Sequence, residues 1–575
     1  MIRTWIRYAA LAGVIGLGAC GEKSLTVANP TQPNITQVLA TPADAEGLLA
    51  TYYKRWHSGM WGTANDLTTN VDLMSLVQSF ENYATLSNNC MAQRYGIPRP
   101  ANDNTLGNGC AAEQLKVYAI ESEVEHVASS IIAQINGGLN LGSPAQNSRA
   151  IAFAQFERGI ALGYLALIYD SAAVITPAML TVNSADAGVL VGYPAVNQAA
   201  LDALQAAIDA TTAGAASFPL PATWIPSSNT FTSAEFIKLI RSYRARFTAG
   251  VARTPAERAA VNWASVIADA QNGITADHDN ITSLTTGPFN GIVRQLYTYN
   301  TWHQMTPFVI GMADTSGAYA AWLAQPLASR GSAGPMLIVT PDQRFPQGPD
   351  RASQQQDFLI TSCQPAATVC KRYFQNRPTA KDVAAASAWG ASDYDHARFQ
   401  SWYTSGDNGV GSNGKFPFFV LAELDMLQAE GLIRTSSYAA AAALINKTRV
   451  KNGLPAITAF DNTTPVPGGT AAAPVPGGSS CVPLVPTQAP EPQGSPSGTV
   501  CGNMMEAMKY EKRIETAYTA FANWFIDERG WGDLPEGTGI DWAVPYTDLA
   551  VRLHANYSTG GGLAGSSAAH GTYGW

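Results

Sequence analysis

The stretch Glu511–Leu534, EKRIETAYTAFANWFIDERGWGDL, carries the strongest structural pattern in this chain of 575 residues. Together with the residues before it, this stretch repeats apolar side chains such as Ile514 and Phe521 along one face. The pattern predicts an amphipathic helix over Met504–Glu528. An isolated buried charge is costly, so we expect its charged residues to pair: Glu511, Arg513, Glu515, Asp527 and Arg529. Three tryptophans here are predicted to belong to the core: Trp524, Trp531 and Trp542.

Helical periodicity also occurs upstream of this stretch. In Arg149–Asp170, apolar residues recur at steps of three and four, while Ala161 and Gly163 permit the close approach of another helix. The same pattern is found at 201–208, 233–249, 263–270, 417–431 and 438–450. Pairs of these helices predict hairpins of the tetratricopeptide type. Residues 275–415 lack such a period, so we expect a mainly α protein with an irregular part that contains short strands.

The N-terminus is typical of an exported lipoprotein. Arg3 and Arg7 precede an apolar run, Tyr8–Ala19, which is shorter than the ~20 residues that span a bilayer. The run ends in Leu-Gly-Ala-Cys, which resembles a bacterial lipobox and predicts a signal peptide over 1–19 with lipidation of Cys20. Several acyl chains on this cysteine form a durable membrane anchor. An ordinary secretory signal with an incidental cysteine is the alternative.

Composition limits the partners of the chain. Its net charge of -8 argues against binding of nucleic acid or of an anionic membrane surface. Without Cys20, six cysteines remain in three neighbouring pairs, and in an oxidising compartment the simplest connectivity is the one between neighbours: Cys90 with Cys110, Cys363 with Cys370, and Cys481 with Cys501. A metal site competes with this reading, but the cysteines and histidines lack ligand spacing, so we predict no metal.

Several sequence blocks together resemble one family. The blocks, in order, are Leu25–Thr31, Thr41–Glu46, Gly163–Tyr169, Ala443–Arg449 followed by Gly453–Pro455, and Glu511–Glu515 followed by Trp524–Leu534 and Ala543–Pro545. Their order and spacing resemble the SusD/RagB-like outer-membrane nutrient-binding lipoproteins. The chain departs from the family pattern at Ala522–Trp524, where the family usually has an arginine before the tryptophan.

The resemblance implies a SusD-like fold over 20–575, with tetratricopeptide-like helix pairs and an irregular, loop-rich ligand-binding half. It implies an N-terminal part at about 20–275 and a C-terminal part at about 276–575, and we read the Pro/Gly-rich stretch 462–500 as an insertion. Family members bind nutrients, commonly oligosaccharides and sometimes peptides, and deliver them to a SusC-like TonB-dependent transporter. The implied location is the outer membrane, facing the cell exterior.

No motif in the sequence supports catalysis strongly. The loop Gly409–Lys415 fits most of a phosphate-binding P-loop, but Phe416 replaces the residue that holds magnesium, so we expect a structural turn before a helix. Asp393 and Asp395 are candidates for acid/base work or calcium binding, although such pairs are usually solvated. We therefore predict a binding protein with no catalytic residues and no cofactor. The alternatives are a tetratricopeptide-type protein-binding scaffold and a lipid-anchored glycan-cleaving enzyme.

Ligand contacts are expected in three stretches that combine aromatic and polar residues. Sugars stack their C–H faces on Trp and Tyr, and their hydroxyls need polar partners. The stretches are 56–66, 297–304 and 389–402. The candidate residues in them are Trp56, Trp61, Asn65, Asp66, Tyr297, Asn300, Trp302, Trp389, Tyr394 and Arg398.

Overall fold

The computed structural model describes most of the chain from Thr41 onward. The described residues are 41–61, 71–84, 90–91, 94, 99–181, 188–282, 303–330, 336–361, 372–378, 392–399, 402, 414–467, 469–470, 473–474, 481–487, 498–535 and 537–561. The predicted signal peptide and Cys20 lie outside them, so export and lipidation remain predictions.

Helices form the larger part of the described structure. The N-terminal helices are α1 (Pro42–Trp61), α2 (Val71–Gln78), α3 (Ala112–Asn136), α4 (Pro144–Ile168), α5 (Tyr193–Ala213), α6 (Ser233–Gly250), α7 (Pro255–Ala259) and α8 (Trp263–Gln271). Short helices follow: α9 (Pro307–Gly311), α10 (Ala318–Leu323), α11 (Leu327–Arg330) and α12 (Arg351–Thr361). The C-terminal helices are α13 (Leu421–Arg434), α14 (Tyr438–Lys451), α15 (Met504–Thr516), α16 (Asn523–Trp531) and α17 (Tyr546–Val551). The mainly α class is confirmed.

The long helices pack against their neighbours in a continuous stack. Helix α3 contacts α1 and α4, α4 contacts α5, α5 contacts α6, and α6 contacts α8, which packs on α13. Helix α4 begins where Ser143 accepts a hydrogen bond from Gln146 N and Pro144 occupies the first turn. The predicted close approach at Gly163 is confirmed, because a Cβ there would lie 2.3 Å from Phe247 Cε2 on α6.

Gly163→Ala is expected to lower the free energy of unfolding by about 1–3 kcal/mol, because the added methyl group overpacks the ring of Phe247. The matched control is Gly47→Ala at an exposed position of α1, where a Cβ meets nothing within 4 Å. That substitution should stabilise the protein by up to ~1 kcal/mol through helix propensity. Urea unfolding of both variants tests the pair, and equal stabilisation of both would contradict the packing argument.

Among the described residues, one helix is long and apolar enough to cross a membrane. This helix, Pro144–Ile168, has 89% of its apolar window buried inside the protein. A buried apolar helix of this kind is typical of a protein core.

Strands are short and form two-stranded antiparallel sheets. They are β1 (Tyr83–Ala84), β2 (Ser171–Ala173), β3 (Leu190–Gly192), β4 (His278–Thr282), β5 (His303–Gln304), β6 (Phe374–Asn376), β7 (Tyr394–His396), β8 (Gly414–Phe419), β9 (Gly469–Thr470), β10 (Ala473–Pro474), β11 (Leu484–Pro486) and β12 (Thr499–Cys501). The pairs are β1 with β5, β2 with β3, β4 with β8, β6 with β7, β9 with β10, and β11 with β12. The described parts of 275–415 therefore have the predicted short strands, with short helices added.

The helix predicted to start at Pro417 begins later, and that prediction is wrong. Strand β8 runs through this proline, and α13 starts at Leu421. Pro417 lacks an N–H, and it lies opposite Asp279, where the register of the ladder shifts. Such an irregular position tolerates proline, while the alternating Phe416 and Phe418 side chains face the core.

The single helix predicted over Met504–Glu528 is in fact two helices. The backbone turns at Tyr518 and Ala522, which have φ values of 60° and 51°. Buried carboxylates of the N-terminal region accept their N–H groups: Glu81 Oε1 from Tyr518 N at 2.6 Å, and Asp72 Oδ1 from Ala522 N at 2.8 Å. These distant acceptors satisfy the backbone at the break, which local periodicity does not reveal.

The predicted charge pairing is confirmed for four of the five residues. Glu511 and Glu515 contact Arg344, Arg513 contacts Glu528, and Asp527 contacts Lys512. Arg529 instead donates to backbone carbonyls of Ile540 and Gly250. The three predicted core tryptophans, Trp524, Trp531 and Trp542, are buried.

Two of the three expected disulfides are present. They join Cys90 to Cys110 and Cys481 to Cys501. Cys363 and Cys370 lie outside the described residues, so their pairing remains a prediction.

Three buried glutamates lie on α3 and α4. Burial holds the pKa of Glu121 and Glu157 well above the usual value and raises the pKa of Glu125 to about 8. Glu125 Oε1 accepts a hydrogen bond from Ile175 N at 2.5 Å. These carboxyl groups are therefore protonated in the folded protein at a pH where they ionise in the unfolded chain.

This difference predicts a pH-dependent stability. Between about pH 4.5 and pH 8 the folded state holds the Glu125 proton and the unfolded state releases it, so the contribution of Glu125 to the free energy of unfolding falls as pH rises, by at most about 1.4 kcal/mol per pH unit. Glu125→Gln keeps a side-chain oxygen that can accept the hydrogen bond from Ile175 N, but it has no proton to release on unfolding. Urea unfolding from pH 5 to pH 8 should show a stability advantage of the variant that grows with pH. Parallel curves would contradict the assignment.

Candidate functional site

The described structure contains four of the ten predicted ligand residues, and all four are buried. They are Trp56, Trp61, Tyr394 and Arg398. The other six lie outside the described residues and remain predictions: Asn65, Asp66, Tyr297, Asn300, Trp302 and Trp389.

Tyr394 and Arg398 have structural partners inside the protein. The Tyr394 hydroxyl donates to Gln354 Oε1 at 2.7 Å and accepts from Ile338 N at 3.1 Å. Arg398 Nη1 donates to the carbonyl of Glu515 at 2.7 Å, and its guanidinium covers the ring of Tyr373. Like the fully buried Trp56, they lie in the protein interior, and their contact with a ligand remains a prediction.

The described ends of the second and third predicted stretches are neighbours in space. Met305 N donates to the carbonyl of Tyr394 at 2.8 Å, and Ser392 N donates to the carbonyl of Met305 at 3.0 Å. Gln304 Nε2 also donates to the carbonyl of Ser392 at 2.8 Å. The segments that lead to Trp302 and Trp389 are therefore fixed beside one another.

An aromatic cluster, here defined as Trp61, Phe416, Phe418 and Trp402, joins the first stretch to the third. The ring centroids of Trp61 and Phe418 are 4.6 Å apart in an edge-to-face arrangement, and those of Trp402 and Phe416 are 4.5 Å apart. Phe416 and Phe418 share a face of β8 because their positions differ by two. Described residues of the first and third stretches therefore meet at this cluster, while the described end of the second stretch contacts the third at Ser392 and Tyr394.

A small cavity of about 10 Å³ lies against the aromatic cluster, with room for roughly one water molecule. Aromatic and neutral polar residues line it, together with His57: Trp61, Asn280, Thr282, Trp402, Phe416, Phe418 and Thr519. Trp402 Nε1 donates to Thr282 Oγ1 at 3.0 Å. The neighbouring His278 is also neutral at pH 7, because burial lowers its pKa to about 4.

The ends of several chain segments meet at the aromatic cluster. Helix α1 ends at Trp61, and strand β4 ends at Thr282, which pairs with Gly414 at the start of β8. Thr282, the last described residue before the segment 283–302, therefore lies at this cluster. An uncharged aromatic cluster of this kind suits a neutral ligand, because such a ligand does not require an ionic partner.

The two aspartates considered for catalysis or calcium binding have structural partners. Asp393 Oδ2 lies 3.3 Å from Arg351 Nη1, and Asp395 Oδ1 lies 3.1 Å from Arg377 Nη1. Within the described ranges, no group of three His, Cys, Asp or Glu side chains is arranged to hold a metal ion.

The sequence reasoning missed Asn280, Thr282, Phe416 and Phe418. The alternation of Phe416 and Phe418 is the strand signal that was available, but Pro417 obscured it. Asn280 and Thr282 lie in a short polar strand without a distinctive pattern, and only their pairing with β8 places them beside the tryptophans.

The fold is similar to that of solved structures described as SusD superfamily proteins. A SusD superfamily protein from Parabacteroides distasonis ATCC 8503 shares 10% sequence identity, with 89% of this chain and 98% of that chain covered and a TM-score of 0.53. A SusD homologue from Bacteroides thetaiotaomicron VPI-5482 shares 13% identity, with coverage of 92% and 99% and a TM-score of 0.49. No protein-family model and no curated protein matches the sequence. At these identities, the comparison establishes the fold.

Proposed function

We propose that the protein is an outer-membrane lipoprotein, exposed at the cell surface, that binds a nutrient oligosaccharide reversibly and delivers it to a SusC-like TonB-dependent transporter. The observation that carries the proposal is the meeting of the first and third aromatic-rich stretches at the uncharged aromatic cluster, with the described end of the second stretch hydrogen-bonded to the third. The SusD-like fold supports the proposal, because it agrees with the family resemblance of the sequence blocks.

Binding in this proposal uses stacking and hydrogen bonds and forms no covalent bond. Tryptophans such as Trp302 and Trp389 would stack on the C–H faces of sugar rings, and Asn65, Asp66 and Asn300 would pair with hydroxyls. Trp61 and Thr282, which line the cavity at the aromatic cluster, are the last described residues before the segments that carry Asn65, Asp66 and Asn300. Catalysis is not part of the proposal.

A binding screen of the soluble protein from Gly21 onward, on glycan and peptide arrays, tests the ligand class. We expect saturable binding of a glycan that is recovered unchanged. Peptide binding alone would overturn the oligosaccharide assignment, and cleavage of the bound glycan would favour the lipid-anchored enzyme.

Lipid anchoring is tested separately with Cys20→Ser. Wild-type protein should incorporate radiolabelled palmitate and fractionate with the outer membrane, whereas the variant should do neither. Retention of the label in the variant would contradict lipidation at this cysteine. Co-purification of a TonB-dependent barrel with the wild type tests the partner.

A further inference from the structure

A cavity of about 540 Å³ lies between α3 and α17 and shares no lining residue with the cavity at the aromatic cluster. Residues 115–126 of α3 form one wall, and residues 547–552 form another. Its volume lies in the range of small-molecule sites, ~300–1,000 Å³. The apolar part of the lining consists of Leu115, Tyr118, Ala119, Ala173, Ile175 and Val551.

One carboxyl group in this lining is buried and has an unused oxygen. Glu125 is 1% exposed, and its Oε1 accepts a hydrogen bond from Ile175 N at 2.5 Å. Its Oε2 makes no hydrogen bond or ion pair with any described residue. The oxygens of Glu121 and Glu157 are sealed in the core, but Glu125 Oε2 is not, so this atom faces the cavity.

The other charged groups of the lining already have partners. Glu123 Oε2 lies 2.9 Å from Arg55 Nη2 at the surface. Asp548 Oδ2 lies 2.6 Å from Arg552 Nε. Each of these pairs is neutral as a whole, and Glu125 is therefore the carboxyl group of the lining that is left for a ligand.

The neighbours of Glu125 do not supply the cation that its carboxylate needs. His126 is neutral at pH 7, because burial lowers its pKa. Arg158 Nε donates to the carbonyl of Ile175 at 3.1 Å, and Arg158 makes no ion pair with the described residues. Burial outweighs the attraction of Arg158 and raises the pKa of Glu125 to about 8.

These groups favour a positively charged ligand over an anionic or a neutral one. The lining holds three carboxyl groups, Glu123, Glu125 and Asp548, and one guanidinium, that of Arg552. A cation on Glu125 Oε2 forms a charge-assisted hydrogen bond, which is about twice as strong as a neutral one. The apolar walls around this oxygen exclude water and cover an apolar body at the same time.

We propose that this cavity binds a small molecule that carries an ammonium group on an apolar body. The ammonium donates to Glu125 Oε2, and the body packs against the apolar residues of α3 and α17. The site goes beyond the proposed nutrient binding, and it uses none of the residues predicted to contact the glycan.

The test is a ligand-observed NMR and titration-calorimetry screen of the protein from Gly21 onward. The probes are 2-phenylethylammonium, benzylammonium and tyrammonium, each with the alcohol that replaces its ammonium group by a hydroxyl. We expect saturable binding of at least one ammonium ion, at least tenfold tighter than that of its alcohol. Failure of all three ammonium ions to bind, or equal binding of the alcohols, would overturn the proposal.

Variants place the binding in this cavity. Glu125→Gln should weaken ammonium binding at least tenfold, and Ala119→Trp, which fills the cavity from an exposed position of α3, should abolish it. Glu235→Gln, an exposed change on α6 outside the cavity, is the matched control and should bind like wild type. Circular dichroism verifies that each variant is folded. Wild-type affinity in both cavity variants would contradict the site.

Proton release provides a readout that a merely structural role of Glu125 would not give. The free protein holds the Glu125 proton below about pH 8, and the bound ammonium favours the carboxylate, so binding releases this proton to the buffer. The affinity should rise by about fivefold between pH 7 and pH 8 and level off above. Glu125→Gln should remove both effects, and a pH-independent affinity of the wild type would contradict the role of Glu125.

Discussion

Arg344→Met is expected to lower the free energy of unfolding by about 3–5 kcal/mol, the largest loss of stability among the variants considered. The Arg344 guanidinium is fully buried and contacts Asp342 at 2.7 Å, Glu511 at 2.8 Å and Glu515 at 2.9 Å. Methionine fills a similar volume, but it leaves three carboxylates without their shared cation. Urea unfolding at neutral pH measures the loss.

The matched control for this prediction is Arg241→Met. Arg241 is 34% exposed, and its partner Asp269 keeps a second contact with Arg244. We expect a loss of at most ~1 kcal/mol there, as for other surface ion pairs. Similar losses of stability in the two variants would show that the three buried carboxylates around Arg344 do not depend on its charge.

Trp302→Ala is expected to weaken glycan binding by tenfold or more while the fold is retained. An aromatic ring that stacks on a sugar contributes its buried area and about 0.5–1.5 kcal/mol of further ring interaction. Isothermal titration with the best glycan from the array measures the change.

The matched control for the binding prediction is Phe460→Ala. Phe460 is an aromatic residue that is 58% exposed and lies outside the three predicted stretches. The affinity of the Phe460→Ala variant for the glycan should equal that of wild type. An unchanged affinity of Trp302→Ala would remove the second stretch from the site.

Local patterns predicted most of the helices but not their interruptions. The periodicity of Arg149–Asp170 and the charge pattern of Glu511–Glu515 are properties of neighbouring residues, and the structure confirms both. The break after Thr516 depends on carboxylates of Asp72 and Glu81, more than 400 residues earlier in the chain. Helix α3 was also missed, because its buried face includes Glu121 and Glu125 and so lacks a clean apolar period.

The candidate site was predictable only in its outline. Aromatic and polar composition selected the three stretches, and the structure brings their described ends together. The composition did not distinguish the buried Trp61 from residues that face a ligand. That distinction depends on packing against Phe418 of β8, a contact between residues 357 positions apart in the sequence, 61 and 418.

Hydrogen–deuterium exchange of the protein from Gly21 onward, with and without a saturating glycan from the array, tests the central claim most directly. The proposed function predicts protection in peptides that cover 56–66, 297–304 and 389–402, and unchanged exchange along α5 and α8. Protection that avoids all three stretches would contradict the claim that the glycan binds there.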